Sequence, residues 1–244
     1  MRRPVKAVLF DLDDTLFDHS ASVAHAISLL RQDHAALQTR PLADVLVEHR
    51  RLLEHMHLEV LAGRLSVDQA RIDRMRGIFR FCGAEVAHEI AVQSAQLHRQ
   101  RYRQCQRAVP GAVELLQRLR PLARIAIVTN NLLEEQRAKL AVCGLSSLVD
   151  LMVTSEECGH TKPSAEIFRI ALDRLGCRAE ESVMIGDSWE SDIVGAHNAG
   201  IRPLWFNRSG AVKRDDQVDE IASFEPVEPV LKWILSAGDG EHFS

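Results

Sequence analysis

The sequence lacks the marks of several large protein classes. No apolar stretch approaches the ~20 residues that span a bilayer, and Met1-Arg2-Arg3-Pro4 leads into a short strand and an acidic loop rather than a signal peptide. The five cysteines are scattered and form no CxxC pair, so we expect reduced thiols and neither a disulfide framework nor a zinc site. A net charge of −4 gives no electrostatic reason to bind nucleic acid or an anionic membrane. We therefore expect a cytoplasmic protein without nucleic-acid or membrane partners.

Short aliphatic runs are present instead, and they predict the strands of a parallel sheet. They cover residues 6–10, 124–129, 149–154, 182–185 and 201–206, and helical patterns separate the last four. This alternation is typical of a Rossmann-like, doubly wound α/β core. One of the helices is predicted to have Pro163 at its first position and Gly176 as its C-terminal cap.

The region between the first two strands has a different character. Residues 18–107 contain no strand-like run, and amphipathic helical patterns follow one another near 22–37, 42–62, 67–81 and 85–104. This region carries 13 arginines, 10 acidic residues and no lysine, so it is mildly basic. We predict a helical domain of residues 18–107 inserted into an α/β core of residues 1–17 and 108–244.

Acidic residues follow the first and fourth predicted strands. Asp11 and Asp13 stand after the first, and Asp187 and Asp192 after the fourth. Because open parallel sheets bind ligands beyond the carboxyl ends of their strands, Asp187 is expected within reach of Asp11 and Asp13. Three clustered carboxylates repel one another in a partly desolvated crevice, and a hard divalent cation removes that repulsion. Asp192 alternatively only caps the helix that follows.

Hydroxyl, amide and ammonium groups follow the other strands. Thr129 and Asn130 end the second strand, although both residue types are also common in turns and caps. Lys162 stands just before Pro163 and is one of five lysines in a chain with 25 arginines. Where arginine is the default cation, a retained lysine indicates that a compact point charge is needed.

The order Asp-x-Asp-x-Thr, strand-Thr-Asn, Lys-Pro and Gly-Asp-x-x-x-x-Asp resembles the haloacid dehalogenase superfamily of hydrolases. The resemblance covers practically the whole chain, because the helical insert looks like that superfamily's C1-type cap domain. It implies a magnesium-dependent phosphomonoesterase that hydrolyses a small phosphorylated metabolite through an aspartyl-phosphate intermediate.

The resemblance also implies a role for each motif. Asp11 would be the nucleophile and Asp13 the general acid and base, with Lys162 as the third catalytic residue. The groups implied to hold the phosphate are Thr129, Lys162 and the backbone near Asn130. The Mg2+ site would comprise Asp11, the backbone carbonyl of Asp13, and Asp187, with Asp192 as a ligand or a support through water.

The cap is expected to select the substrate, because it would close over the leaving group and exclude water. Arg64, in the turn 62–65 between two cap helices, is the candidate substrate-binding residue. A C-cap glycine followed by a solvated arginine explains that turn equally well. The mildly basic cap suits a nucleoside monophosphate or an acidic sugar phosphate. Asp14, where many relatives with sugar-like substrates have glycine, resembles the nucleotidase and acylneuraminate phosphatase branches. The chain is expected to be a monomer or a homodimer.

Other activities compete with this hypothesis. The 2-haloacid dehalogenases of the superfamily use the same nucleophile but need neither a metal nor the second acid of the first motif, so Asp13 with Asp187 disfavours dehalogenation. Phosphonate hydrolases need a cap lysine, which this cap lacks, and mutases typically have another residue in place of Thr15. A catalytically inactive binding module on the same fold would have no need of every expected catalytic residue.

Overall fold

A six-stranded parallel sheet forms the centre of the fold in this computed structural model, which describes residues 4–236. The strands are β1 (Ala7–Phe10), β2 (Arg124–Thr129), β3 (Leu151–Thr154), β4 (Ser182–Gly186), β5 (Arg202–Phe206) and β6 (Asp219–Ile221). Their order is β3-β2-β1-β4-β5-β6, and every neighbouring pair is parallel. The predicted Rossmann-like α/β fold is confirmed.

The helices divide between two compact units. In chain order they are α1 (His19–Asp33), α2 (Leu42–Leu61), α3 (Val67–Phe81), α4 (His88–Gln104), α5 (Ala112–Leu119), α6 (Leu133–Val142), α7 (Ser155–Cys158), α8 (Ala165–Leu175), α9 (Gly195–Asn198) and α10 (Val227–Leu235). Helices α1 to α4 belong to the unit His19–Gln106, which we call the helical unit. The rest of the described chain, which includes all six strands, is the sheet unit.

Strand β1 lies in the middle of the sheet and is completely buried. Its four residues are apolar without alternation, as expected where helices cover both faces of a parallel sheet. Phe10 pairs with Ile127 of β2 and with Ile185 of β4, so the three strands end at nearly the same level. The side chains that follow these strands are therefore brought to one edge of the sheet.

The helical unit has its own apolar core. Within it, α1 packs against α4, and α3 packs against both α2 and α4. The core includes Ile27, Leu30, Leu37 and Phe79, which are at most 2% exposed. Ser66 caps α3, because its hydroxyl accepts a hydrogen bond from the Gln69 N–H. No helix within residues 4–236 combines the length and apolar composition of a membrane span.

Several element boundaries differ from the predictions. Pro163 does not begin α8, because Ser164 is the N-cap and its side chain accepts from the Glu166 N–H. The predicted cap at Gly176 is confirmed by its left-handed backbone, with φ of 66°. The first predicted helix of the insert begins earlier, at His19, and ends at Asp33. Strand β6 was not predicted, since its three residues include two acids and carry no aliphatic run.

Candidate active site

A buried lysine joins two carboxylates at the carboxyl edge of the sheet. The Lys162 Nζ donates to Asp11 Oδ1 at 2.5 Å and to Asp192 Oδ1 at 2.6 Å. Lys162 is only 4% exposed and Asp192 is completely buried. Although burial disfavours the charged ammonium, the two carboxylates raise the pKa of Lys162 above its ordinary value. The ammonium is therefore held in its protonated form beside Asp11.

Asn130 holds the backbone of this lysine in place. Its Oδ1 accepts from the Lys162 N–H at 2.7 Å, and its Nδ2 donates to the Lys162 carbonyl at 2.9 Å. The side-chain amide thus links the end of β2 to the lysine loop. The predicted phosphate contact involves backbone N–H groups near Asn130. The two side-chain hydrogen bonds do not test it, so it stays a prediction.

Three carboxylates cluster at the same edge. Asp11, Asp187 and Asp192 each offer an oxygen, and these oxygens lie within 4.8 Å of one another. Asp187 is the least buried of the three, and its carboxylate makes no hydrogen bond or ion pair with any residue that the structure describes. Burial and the charges of Asp11 and Asp192 raise the pKa of Asp187 to about 9. Carboxylate oxygens at this spacing with uncompensated negative charge suit a hard divalent cation.

Asp11 experiences the same crowding of negative charge. Burial raises the pKa of its carboxyl to about 7, and the charges of Asp192 and Asp13 add to this effect while Lys162 opposes it. A cation bound close to this carboxyl would lower its pKa and favour the ionised form. The crowding of carboxylates in the cluster therefore favours binding of a cation.

Gly186 makes room for Asp192 beneath the cluster. A Cβ placed on Gly186 would lie 2.3 Å from the Cγ and Oδ2 of Asp192. Asp192 Oδ2 also accepts from the Ser188 N–H at 3.0 Å. Asp192 lies inside the π-helix Trp189–Val194, whose N-cap is Ser188. The alternative that Asp192 serves as the helix cap is therefore wrong.

Asp13 is anchored by helix α6. Both of its carboxylate oxygens accept from Lys139 Nζ, at 2.6 and 2.8 Å. Gln136 Nε2 donates to Asp13 Oδ2 at 3.1 Å and also to Thr129 Oγ1 at 2.7 Å. Asn131 adds a third donor to Asp13 at 3.2 Å. The buried face of α6 thus connects the first and second motifs.

Comparison with known proteins establishes the family. The profile of the haloacid dehalogenase-like hydrolases matches residues 5–200. The chain belongs to this family. A glyceraldehyde 3-phosphate phosphatase of Methanothermobacter thermautotrophicus is 30% identical to this hydrolase over 221 residues, which are 88% of this chain and 92% of the relative. The resemblance inferred from the order of the motifs is confirmed.

Two solved structures extend the comparison. The putative HAD-hydrolase YfnB of Bacillus subtilis, solved bound to magnesium, is 26% identical with a TM-score of 0.73, and the match covers 94% of this hydrolase and all of that chain. A 2-haloacid dehalogenase from Pseudomonas syringae pv. Tomato is 25% identical with a TM-score of 0.61, covering 94% and 99% of the two chains. The fold is therefore shared with a magnesium-bound putative hydrolase and with a dehalogenase, and the site has to distinguish between possible activities.

Arg64 of the hydrolase lies outside the sheet unit. It follows Gly63, which has a left-handed backbone with φ of 69° after the end of α2. The Arg64 guanidinium forms two 2.7 Å hydrogen bonds with Glu59, and its side chain is 63% exposed. A surface pair of this kind contributes little free energy, so either partner exchanges readily with solvent or a ligand. Substrate binding by Arg64 stays a prediction.

Sequence reasoning missed Gln136 and Lys139 of the hydrolase. Both are buried, and they lie three residues apart on one face of α6. The scarcity of lysine was a usable signal, since the argument that singled out Lys162 applies equally to Lys139. No spacing rule links α6 to the first motif, however, because the contact spans 126 residues.

Proposed function

We propose that this hydrolase is a Mg2+-dependent phosphomonoesterase that removes phosphate from a small phosphorylated metabolite. In this proposal residues 1–17 and 108–244 form the catalytic core and residues 18–107 the cap domain. The observation that carries the proposal is the cluster of Asp11, Asp187 and Asp192 around one buried lysine. The phosphatase activity of the relative from Methanothermobacter thermautotrophicus supports it.

The nucleophile in this proposal is Asp11. A carboxylate oxygen attacks phosphorus, a bond forms between them, and the bond between phosphorus and the ester oxygen breaks. The Lys162 ammonium and the Thr129 hydroxyl stabilise the phosphoryl oxygens as charge redistributes among them. The product of this step is an aspartyl-phosphate on Asp11.

Asp13 moves the protons. As an acid it gives a proton to the departing alkoxide, and as a base it takes one from the water that attacks the acyl-phosphate. This second step releases inorganic phosphate and restores Asp11. The contacts with Lys139 and Gln136 hold the Asp13 carboxylate in a fixed orientation, which keeps it near the reacting oxygen.

Asp11, Asp187 and the backbone carbonyl of Asp13 would hold the Mg2+, with Asp192 in support. The bound ion would offset the repulsion between the anionic nucleophile and the anionic phosphate. The elevated pKa of Asp187 and the lack of a cationic partner for its carboxylate among the described residues fit this donor set.

Dehalogenation is the second candidate, because a 2-haloacid dehalogenase shares the fold. That reaction also uses an attacking aspartate, but it needs neither the second acid nor a metal. In this chain Asp13 has three side-chain donors and Asp187 adds charge that demands a cation. These two residues favour phosphate ester hydrolysis.

A panel assay tests the proposal. Phosphate release is measured from phosphorylated sugars, sugar acids and nucleoside monophosphates, with Mg2+ and with EDTA, and halide release from 2-haloacids is measured in parallel. We expect phosphate release that requires Mg2+ and no halide release. Metal-independent halide release would identify a dehalogenase, whereas no turnover on either panel would leave the inactive binding module.

A further inference from the structure

The helical unit buries three basic side chains from three different helices. His49 of α2 is 2% exposed, Arg74 of α3 is 9% exposed and His98 of α4 is 6% exposed. The ring centroids of the two histidines are 5.2 Å apart. Helix α3 packs against both α2 and α4, and the charge of Arg74 acts on both rings. These three residues form what we call the basic cluster.

Three buried polar atoms of the basic cluster lack partners. The Nε2 atoms of His49 and His98 and the Nε of Arg74 are buried without a hydrogen bond. Within residues 4–236 no carboxylate pairs with Arg74, although Arg71 and Arg76 on the same helix pair with Asp68 and Asp73. A buried cation without an anion is costly, and native proteins rarely leave one.

The surroundings of the basic cluster add positive charge, and no carboxylate among the described residues offsets it. Burial and the charge of Arg71 lower the pKa of Arg74 to about 10, while Tyr102 opposes this shift. For His98 burial comes first and Arg74 second, and together with His19 and Arg71 they lower its pKa to about 3. The cluster therefore lacks an acceptor and a negative charge in the same place.

We propose that the basic cluster of His49, Arg74 and His98 is a binding site for a small oxyanion, such as the carboxylate or phosphate group of a metabolite. An oxyanion supplies both missing components at once. The unpartnered Nε–H of Arg74 can donate to an oxygen of the anion, and each histidine can donate from its unpartnered Nε2. This inference does not depend on the proposed phosphatase activity.

The neighbouring aromatic residue extends the polar environment. Tyr102 stacks on His98 with centroids 6.4 Å apart, and its hydroxyl lies 2.9 Å from His19 Nδ1. The Tyr102 hydroxyl and His19, a third histidine next to the cluster, allow more than one oxygen of a ligand to be bound. The site therefore suits a small polar anion better than an apolar molecule.

Sulfate is the first probe, and the readout is local to the helical unit. The full chain with labelled histidine rings is titrated with sulfate in EDTA, and the ring nitrogen signals are followed by NMR. His49→Gln and His98→Gln identify the two signals. We expect saturable shifts of both signals. Two unmoved signals at the highest sulfate concentration would overturn the proposal.

Arg74→Met supplies the second arm. Because charge-assisted hydrogen bonds are lost, it should weaken sulfate binding at least about tenfold. Arg76→Met removes a paired cation from the same helix and should leave the affinity within about threefold. Equal weakening by both variants would show a nonspecific charge effect and contradict the proposal. If Arg74→Met fails to fold, the titration of the parent protein still decides.

Malonate is the third arm and separates the two ligand sources. Tighter binding of malonate than of sulfate indicates a carboxylate site, and the reverse order indicates a phosphate site. Both results support an oxyanion site.

Discussion

The two units bury charged side chains in opposite ways. In the sheet unit, Lys139 and Lys162 are buried in contact with the carboxylates of Asp13, Asp11 and Asp192. In the helical unit, Arg74 and two histidines are buried, and no carboxylate among the described residues pairs with them. Burial alone does not decide whether a charged group is satisfied, because the compensating charge has to come from the chain or from a ligand.

The sign of the unbalanced charge differs between the units. At the sheet edge burial and the neighbouring carboxylates raise the pKa of Asp187, and its side chain is unpaired among the described residues, which favours a cation. In the basic cluster Arg74 is positive and unpaired within the same limits, which favours an anion. A buried polar group therefore indicates a bound ligand most clearly where the charges of the neighbouring side chains do not cancel.

The largest effect is expected at the nucleophile. Asp11→Asn should lower kcat by at least about 10³-fold, because an amide does not attack phosphorus. The volume of the side chain is preserved, so thermal unfolding should remain close to that of the parent. Asp14→Asn, an equal charge change in the same loop, should cost less than about tenfold in kcat. Activity of Asp11→Asn within tenfold of the parent would show that the nucleophile is misassigned.

Lys139→Met tests the anchoring of Asp13. We expect kcat to fall about 10- to 100-fold with KM nearly unchanged, since a misplaced proton carrier slows chemistry and leaves binding intact. Arg137→Met on the exposed side of the same helix is the control and should leave kcat unaltered. A loss of stability without a change in kcat would make Lys139 purely structural.

The basic cluster predicts a dependence of stability on pH. The folded-state pKa of His98 lies near 3, below the ordinary 6.5, and that of His49 is also lowered. The unfolded chain therefore binds more protons, and the free energy of unfolding should fall as pH drops below 6.5, by roughly 1 kcal/mol per pH unit for His98 and in the same direction for His49.

Urea unfolding monitored across this pH range measures the slope. The chloride buffer used should contain no sulfate, phosphate or carboxylate, because a bound oxyanion would oppose the loss. His98→Gln should flatten the dependence, whereas His25→Gln, at an exposed position of α1, should not. An unchanged slope in His98→Gln would contradict the assignment of the effect to this ring.

The smallest effect is expected at Arg64. Arg64→Ala should raise KM about threefold at constant kcat, because an exposed arginine contributes little binding free energy. Arg51→Ala removes a similarly exposed and paired arginine of α2 and should leave KM unaltered. Glu59→Gln, which releases Arg64, should change KM in the opposite direction. Equal KM values in all three variants would remove Arg64 from the list of substrate-binding residues.

Local signals predicted part of the fold well. The strand bounds agree with the predictions to within two residues, because continuous apolar runs are a strong signal for buried parallel strands. Gly176 was recognisable as a C-terminal cap because glycine readily adopts the left-handed backbone conformation that commonly ends a helix. Pro163 misled, since the better N-cap, Ser164, stands one residue later.

The site was predictable only in part. The acids and the lysine were found because they follow strands, and the register of parallel neighbours brings strand ends together. The prediction for Asn130 concerned its backbone, whereas the structure shows a role of its side chain, which holds the backbone of Lys162. The difference arises because hydrogen-bond partners 32 residues apart leave no periodic signal in the sequence.

The sequence by itself determined the parallel sheet, the inserted helical region and the family, because apolar periodicity and short motifs at strand ends are local properties of the chain. Only the tertiary structure decided that Lys139 and Gln136 hold Asp13 and that Arg74 is buried beside two histidines without an acid. Such contacts depend on which helix faces pack together, and that choice is made by the whole fold.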